Sequence, residues 1–330
     1  MAALPETPNL RMKDAGDLHV VELRKISALD LAPVLAEEAA VWRESLHWDL
    51  SESVELVQRF VGMQALNGFA LLEGERTIGY SYYIREEKKG LIGDLYVCQR
   101  ERTAERENAL IEATLEALWR SPGVRRVEAQ LLLLDSPMKR KVPFASRFKP
   151  YPRRFLEAPA SQALALDPRE QEGIAIAPWT EAQQDDSARL VAAAYRGHID
   201  SEINDQYRSP SGSRRFLSNI VQYPGCGTFF PQASFAAFAS NGARGELCGI
   251  SLASLVARDT GHITQICVAP SHRGTGVGYE LLRRSLLALA EHGCDRVSLT
   301  VTAANHSAVR LYQQMGFTLR REFAAYVWDS

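Results

Sequence analysis

The chain has 330 residues, more than the ~100–200 of a typical single domain, and its 46% hydrophobic and 24% charged residues exclude a mostly disordered polymer. Lys+Arg 38 against Asp+Glu 40 leaves a net charge of -2, which argues against general binding of nucleic-acid phosphates, and no run approaches the ~18 apolar residues of a membrane span. The start, Met1-Ala-Ala-Leu-Pro-Glu-Thr-Pro8, carries no basic segment followed by an apolar stretch, and the five cysteines (Cys98, Cys226, Cys248, Cys267, Cys294) form no C-x-x-C pair; a cytoplasmic protein with free buried thiols and no metal site is expected.

Taken in chain order, residues 1–17 read as a loose tail and 20–27 as a strand. Helical patterns follow at about 30–42 and 52–66, then strands at 69–75, 77–85 and 91–98, a helix over 103–120 and an apolar strand at 124–134. The second half repeats this order. A strand at 174–177 precedes helices at 181–195 and 211–222, strands at 233–240, 248–257 and 262–268, and a helix at 275–292. A strand at 297–302, a helix at 306–315 and a strand at 319–328 complete it.

Self-similarity supports a repeat. Gly79 to Val97 is 18 steps and Gly249 to Val268 is 19, each from the opening of one strand to the end of the next. The expected fold class is α/β, a mixed α+β sheet covered by helices, in two tandem domains at 18–165 and 172–330, with the boundary in the Pro-punctuated stretch 158–173. Seven basic residues and no acidic one lie between Lys139 and Arg154, with Phe144, Phe148 and Tyr151 interleaved. A patch for acidic partners is one reading; a loop with its aromatics packed inward is the commoner one, and the net charge of -2 agrees with it.

The strongest chemical signal is Arg273-Gly274-Thr275-Gly276-Val277-Gly278, between a strand ending at Val268 and a helix carrying Leu282, Leu286 and Leu289 on one face. Glycines opening a helix let the backbone approach a ligand, and the free N–H groups and the helix dipole there attract anionic oxygens. Arg273 adds a fixed positive charge, so the segment reads as a pyrophosphate cradle. A mere tight turn needs fewer glycines. A dinucleotide site of the Rossmann type needs G-x-G-x-x-G after a first strand and an acid ~20 residues later on the next strand; here the spacing is G-x-G-x-G, the turn comes late in its domain, and the next strand leads to Asn305 rather than to an acid at its tip.

This segment resembles the acetyl-CoA signature of the GCN5-related N-acetyltransferases (GNAT): Gln or Arg, two residues, Gly, one residue, then Gly or Ala. Asn305-His-Ser-Ala308-Val-Arg-Leu311-Tyr312-Gln-Gln-Met-Gly316-Phe317 resembles the same family's second motif. The resemblance covers residues ~174–330 and implies a sheet splayed at a bulge near Val268, with the pantetheine arm in the cleft. It implies that backbone groups of Ile266, Cys267 and Val268 hold the acetyl and pantetheine, that Arg273 through Gly278 hold the pyrophosphate, and that Asn305 contacts the pantetheine. It places Tyr312 as the acid that protonates the departing thiolate and His262 as a candidate base. Tandem members of the family, mycothiol synthase among them, share the two-domain layout.

Each site residue also has a plainer reading. Ala308, Leu311, Tyr312 and Met315 fall at helical spacing, so Tyr312 fits a core face; a lone His262 at a strand start fits a structural role. Cys267 points opposite to Val268 and has no base beside it in sequence. In the first half, aligning Val97 with Val268 puts Glu105 and Glu107 where Gly276 and Gly278 stand, so that copy is expected to be catalytically silent. The expected activity is acetyl transfer from acetyl-CoA to a small primary amine by direct attack, without metal, membrane or specific nucleic acid and with the oligomeric state open. A non-catalytic acyl-CoA sensor is the alternative.

Overall fold

The computed structural model describes residues 18–86, 88–134, 138–169, 171–223, 225–240 and 245–329. The expected tail at 1–17 lies outside them. The described chain divides into two compact units, one built from residues up to 42, 51–150 and 323 onward, the other from 43–50 and 151–322.

The first unit contains β1 (Leu18–Glu22), α1 (Ala28–Leu46), α2 (Ser51–Gly62), β2 (Gly68–Glu73), β3 (Arg76–Glu86), β4 (Lys89–Val97), α3 (Ala104–Arg120) and β5 (Arg126–Leu131). Strands β1 to β4 pair antiparallel in sequence, and β4 and β5 pair parallel over Lys89–Ile92 and Arg126–Ala129. Leu110, Leu115 and Leu118 of α3 bury against Leu71, Ile78, Val97 and Val127 of the sheet. Their 3.6-residue spacing against the alternation of the strands is the pattern that made these elements legible.

The second unit begins with β6 (Phe148–Pro159), β7 (Ile174–Pro178), α4 (Gln184–Ala194), α5 (Asp200–Ile203), α6 (Pro210–Gln222), β8 (Thr228–Phe229) and β9 (Phe235–Ala239). It continues through β10 (Glu246–Ala257), β11 (Thr260–Val268), α7 (Val277–His292), β12 (Arg296–Thr302), α8 (His306–Gln314) and the start of β13 (Thr318–Asp329), whose residues from 323 belong to the first unit. Its main sheet runs β6-β12-β11-β10-β9-β7. Helix α7 covers one face through Leu282, Leu286 and Leu289, and α4 and α6 cover the other through Leu190, Val191 and Leu217.

The two strand pairs aligned by spacing share one register. Gly79 is the cross-strand partner of Val97, and Gly249 that of Val268. Gly90 and Gly261 repeat a packing detail as well: a Cβ on either would meet a leucine of the following helix, Leu118 at 2.6 Å and Leu289 at 2.6 Å. Only glycine lets each helix seat that closely.

The linear boundary needs a correction. Residues 324–329 of β13 pair with β5 in the first unit, while 153–159 of β6 pair with β12 in the second. The expected split at 158–173 would thus put most of β6 with the first domain and β13 with the second, the reverse of their pairing. The sequence hid β6 because Pro150, Pro152, Pro159 and a basic run interrupt it, and prolines are tolerated only where a ladder donor is not needed. Phe155, Leu156 and Ala158 are nevertheless buried. Arginines of the basic segment find partners in the fold: Arg147 lies 5.6 Å from the Trp119 ring centroid, and Arg153 donates to Thr300 Oγ1 at 3.1 Å. Among the described residues no helix is long and apolar enough to cross a membrane.

Candidate active site

Strand β11 creates the cleft by leaving one of its neighbours. It pairs with β12 only over Thr260–Ile263, and with β10 as far as Val268. The register shift falls between Leu252 and Ala253, leaving Thr264 as the extra residue of a bulge, its Oγ1 donating to the Leu252 carbonyl at 3.0 Å. The splay therefore starts at Thr264, four residues before the expected Val268. Ala269 N–H donates to the Cys248 carbonyl at 2.8 Å. Antiparallel alternation then turns the backbone groups of Cys267 toward β10 and those of Ile266 and Val268 toward the open side. Cys267 consequently does not offer its backbone to a ligand, contrary to expectation. Its thiol borders the cleft, with burial pushing its pKa up to about 12, so at neutral pH it is protonated and a poor nucleophile.

The turn after β11 delivers the N-terminus of α7 to the same cleft. Gly274 (φ 77°) and Gly276 (φ 94°) occupy the left-handed region, where a side chain is strained. Gly276 is the helix N-cap and has no side chain to offer, so the first N–H groups of α7 have no side-chain acceptor there. Val277 is fully buried and anchors the helix, and Thr275 Oγ1 donates to the His272 carbonyl at 2.8 Å, holding the turn. Arg273 borders the cleft and donates to the carbonyl of Ala194 at the end of α4. The sequence missed Arg169, which also borders the cleft with its guanidinium 4.0 Å above the Tyr279 ring. Its own N–H donates to Glu280 Oε2 at 3.0 Å. Burial pushes the Glu280 carboxyl up, but bonds from Arg283, the Arg169 backbone and Arg284 outweigh it and hold the pKa at about 2. The first turn of α7 therefore carries its own neutralised acid and keeps the cationic side chains around it.

The cavity measures about 430 Å³ and runs from Gly274, Gly276 and Gly278 past Ile266 and Val268 to Tyr312. Tyr312 is 7% exposed and its ring centroid lies 6.0 Å from that of Phe317. Burial raises its phenol pKa, as does the charge of Asp200, while Arg153 opposes them. It is both a core-face residue and a cleft residue, so the two readings of the sequence are compatible. Asn305 caps α8: its Oδ1 accepts from Ala308 N–H at 3.3 Å and from Ser307 Oγ at 3.1 Å, while the residue borders the cavity.

His262 is placed elsewhere. It is 4% exposed, bonded through Nδ1 to Ser298 Oγ at 2.9 Å, and packed 4.8 Å from the Trp48 ring and 6.2 Å from that of Phe155. Burial holds its pKa down to about 3. A ring enclosed on all these sides is a structural member of the core, not a base in the cleft. The cavity is bordered instead by Tyr195 and His198, between α4 and α5, which no spacing rule had marked.

Comparison with known proteins bears directly on this arrangement. Residues 188–317 match the model of the acetyltransferase (GNAT) family. That stretch is similar to GNAT-family domains. A mycothiol acetyltransferase of Thermobispora bispora is 45% identical over 58 residues, which are 18% of this chain and 20% of that protein. The match thus spans about a fifth of that relative's length. A GCN5-related N-acetyltransferase from Sphaerobacter thermophilus shares the fold with a TM-score of 0.66 at 18% identity, over 94% of this chain and 95% of that one. A tandem GNAT protein from the clavulanic acid biosynthesis pathway does so with a TM-score of 0.56 at 16% identity, over 95% and 98% of the two chains.

In the first unit the corresponding turn and helix N-terminus are filled from within. There α3 has a side-chain cap, Thr103, accepting from Arg106 N–H at 3.2 Å. Glu107 is turned inward, and Arg140 Nη1 donates to its Oε2 at 2.6 Å, with Arg102 Nε at 3.7 Å from Oε1. Arg140 also donates to the Ala104 carbonyl at 3.0 Å and to Asn108 Oδ1 at 2.9 Å. An internal ion pair thus occupies the position where the second unit has Gly278.

Proposed function

We propose that the protein is an acyl-CoA-dependent N-acyltransferase that moves acetyl from acetyl-CoA to a small primary amine by direct attack, with catalysis confined to the second unit. The observation that carries this reading is the convergence of an uncapped helix N-terminus at Gly276 and an unpaired strand edge at Ile266 and Val268 on one cavity. The first fits a pyrophosphate and the second a chain of amides ending in a thioester. A residue at Gly276 would fill the cradle, since a Cβ there meets Gln171 Nε2 at 2.9 Å.

In this reading a neutral amine attacks the thioester carbonyl, a backbone N–H of the open β11 edge stabilises the oxyanion, and the thiolate leaves. Tyr312 gives the departing thiolate its proton, and the proton released by the acylated nitrogen returns to the phenolate directly or through water, so the tyrosine is regenerated; its raised pKa keeps it protonated beforehand. The protonated thiol of Cys267 disfavours a covalent acyl-enzyme, which supports direct attack. The first unit is a supporting copy that binds no nucleotide. The test is calorimetric titration with CoA together with thiol release from acetyl-CoA across a panel of amines. Binding at one site per chain with amine-dependent release is expected; binding without release from any amine would identify a sensor.

A further inference from the structure

Asp200 stands outside every motif of the sequence, at the first residue of α5. Its side chain is 13% exposed. Oδ1 accepts from Thr302 Oγ1 at the end of β12, and Oδ2 lies 3.6 Å from His198 Nδ1. The same imidazole nitrogen accepts the Asp200 N–H at 3.2 Å, which ties the carboxylate to the cleft-bordering His198. Among the described residues no lysine or arginine comes within ion-pair distance of Asp200, and its histidine contact is longer than a hydrogen bond. A mostly buried carboxylate in that position is costly unless a cation completes it.

Its surroundings are aromatic. Tyr195 and Tyr207 stack with centroids 4.4 Å apart, and Tyr195 meets the His198 ring edge-on at 5.3 Å. The charge of Asp200 raises the phenol pKa of Tyr195, Tyr207 and Tyr312, in each case after burial itself, so all three rings lie within its field. Arg153 is the cross-strand partner of Thr302 and opposes that field at Tyr207 and Tyr312.

We infer that Asp200 selects the acceptor: a primary alkylammonium docks in the cavity where Tyr195, His198 and Tyr312 border it, drawn by the carboxylate behind His198, and loses a proton to solvent before the neutral amine attacks. This rests on the acyltransferase reading above. Carboxylate and ring faces together recognise an organic cation through charge and cation–π attraction. An acceptor of this class is a flexible amine carrying positive charge, not a neutral aromatic amine. Asp200 is then a specificity residue, and Thr302 and His198 hold it in position.

The test uses Asp200→Asn, which keeps an acceptor for Thr302 and nearly the same volume. The full-length protein, saturated with CoA, is titrated with putrescine in a thermal-shift assay, and acetyl-CoA thiol release is followed with putrescine and with neutral hydroxylamine. The wild type should be stabilised by putrescine and the variant should not. In the variant, kcat/KM for putrescine should fall about 10- to 100-fold, the cost of a lost charge-assisted bond, while CoA Kd and the hydroxylamine rate hold. Equal losses for both nucleophiles would make Asp200 a structural cap only. Equal putrescine rates in both proteins would overturn the selection of cations while leaving the transferase intact. A wild type that binds CoA, is not stabilised by putrescine and releases no thiol with any amine would overturn both.

Discussion

Arg140 donates from Nη1 to Glu107 Oε2 at 2.6 Å, and the two side chains are only 1% and 2% exposed. Removing one member of such a pair strands the other's charge, leaving Arg102 at 3.7 Å as a weak substitute. Arg140→Ala is expected to cost about 3 kcal/mol in urea unfolding, and adding Glu107→Gln should restore part of it. CoA stoichiometry should stay at one per chain in both variants. A second CoA site appearing in the double variant would show that the pair had been blocking a competent cradle.

Gly278 tests the cradle of α7 without backbone strain. A Cβ there meets only Val268 Cγ2, at 3.4 Å, and its φ is not in the left-handed region. Gly278→Glu should therefore fold and lose CoA binding in calorimetry, because a carboxylate enters the path of the phosphates; Gly278→Ala separates charge from bulk and should lose much less. Unchanged CoA affinity in a folded Gly278→Glu protein would show the phosphates to lie elsewhere.

Tyr312→Phe keeps the ring on Phe317 and deletes only the hydroxyl. A fall in kcat of roughly 10²–10³-fold is expected with CoA affinity retained, in the range of general-acid contributions. Full kcat with a lowered melting temperature would make the residue a packing element alone.

His262 sets part of the acid stability. The unfolded chain's imidazole takes a proton below about 6.5, while the folded one resists to about 3. Between those values the unfolded state binds more protons, so stability is full above pH 6.5 and falls as pH drops toward 3, by up to about 1.4 kcal/mol per pH unit from this group. His262→Leu, packed against Trp48 and Phe155, should flatten that slope and leave kcat at neutral pH unchanged. Loss of turnover at normal stability would return the ring to the chemistry.

Glu38 in the first unit works with the opposite sign. It is 1% exposed and accepts from Tyr80 OH at 2.8 Å and Trp42 Nε1 at 3.3 Å. Burial, and then the charge of Asp94, push its carboxyl well above the usual range. The stability it contributes is complete below the unfolded carboxyl pKa near ~4.3 and is lost as pH rises toward the folded value. Melting curves of Glu38→Gln should gain on the wild type as pH rises from about 4.5 to 8. A difference independent of pH would mean that Glu38 is ionised in the fold.

The sequence by itself determined the repeat, the helix and strand types, and the glycine turn that opens α7. Those signals are local: Gly274 and Gly276 must be glycine for their own backbone angles, and the leucines of α7 declare a face by spacing alone. It could also say that a carboxylate, Glu107, stands where the second half has Gly278, because that register is a matter of counting. Tertiary structure alone decided the rest. Strand β6 forms despite its prolines because β12 offers it an edge, and β13 completes the first sheet because β5 pairs with it, both choices made across more than a hundred residues. Between the two readings of His262 the choice falls to Trp48, 214 positions earlier, which packs against its ring. Asp200 and Arg169 carry no motif, for a charge acquires its role from what lies near it in space, and the distance between Asp200 and Thr302 is set by packing that no local pattern encodes.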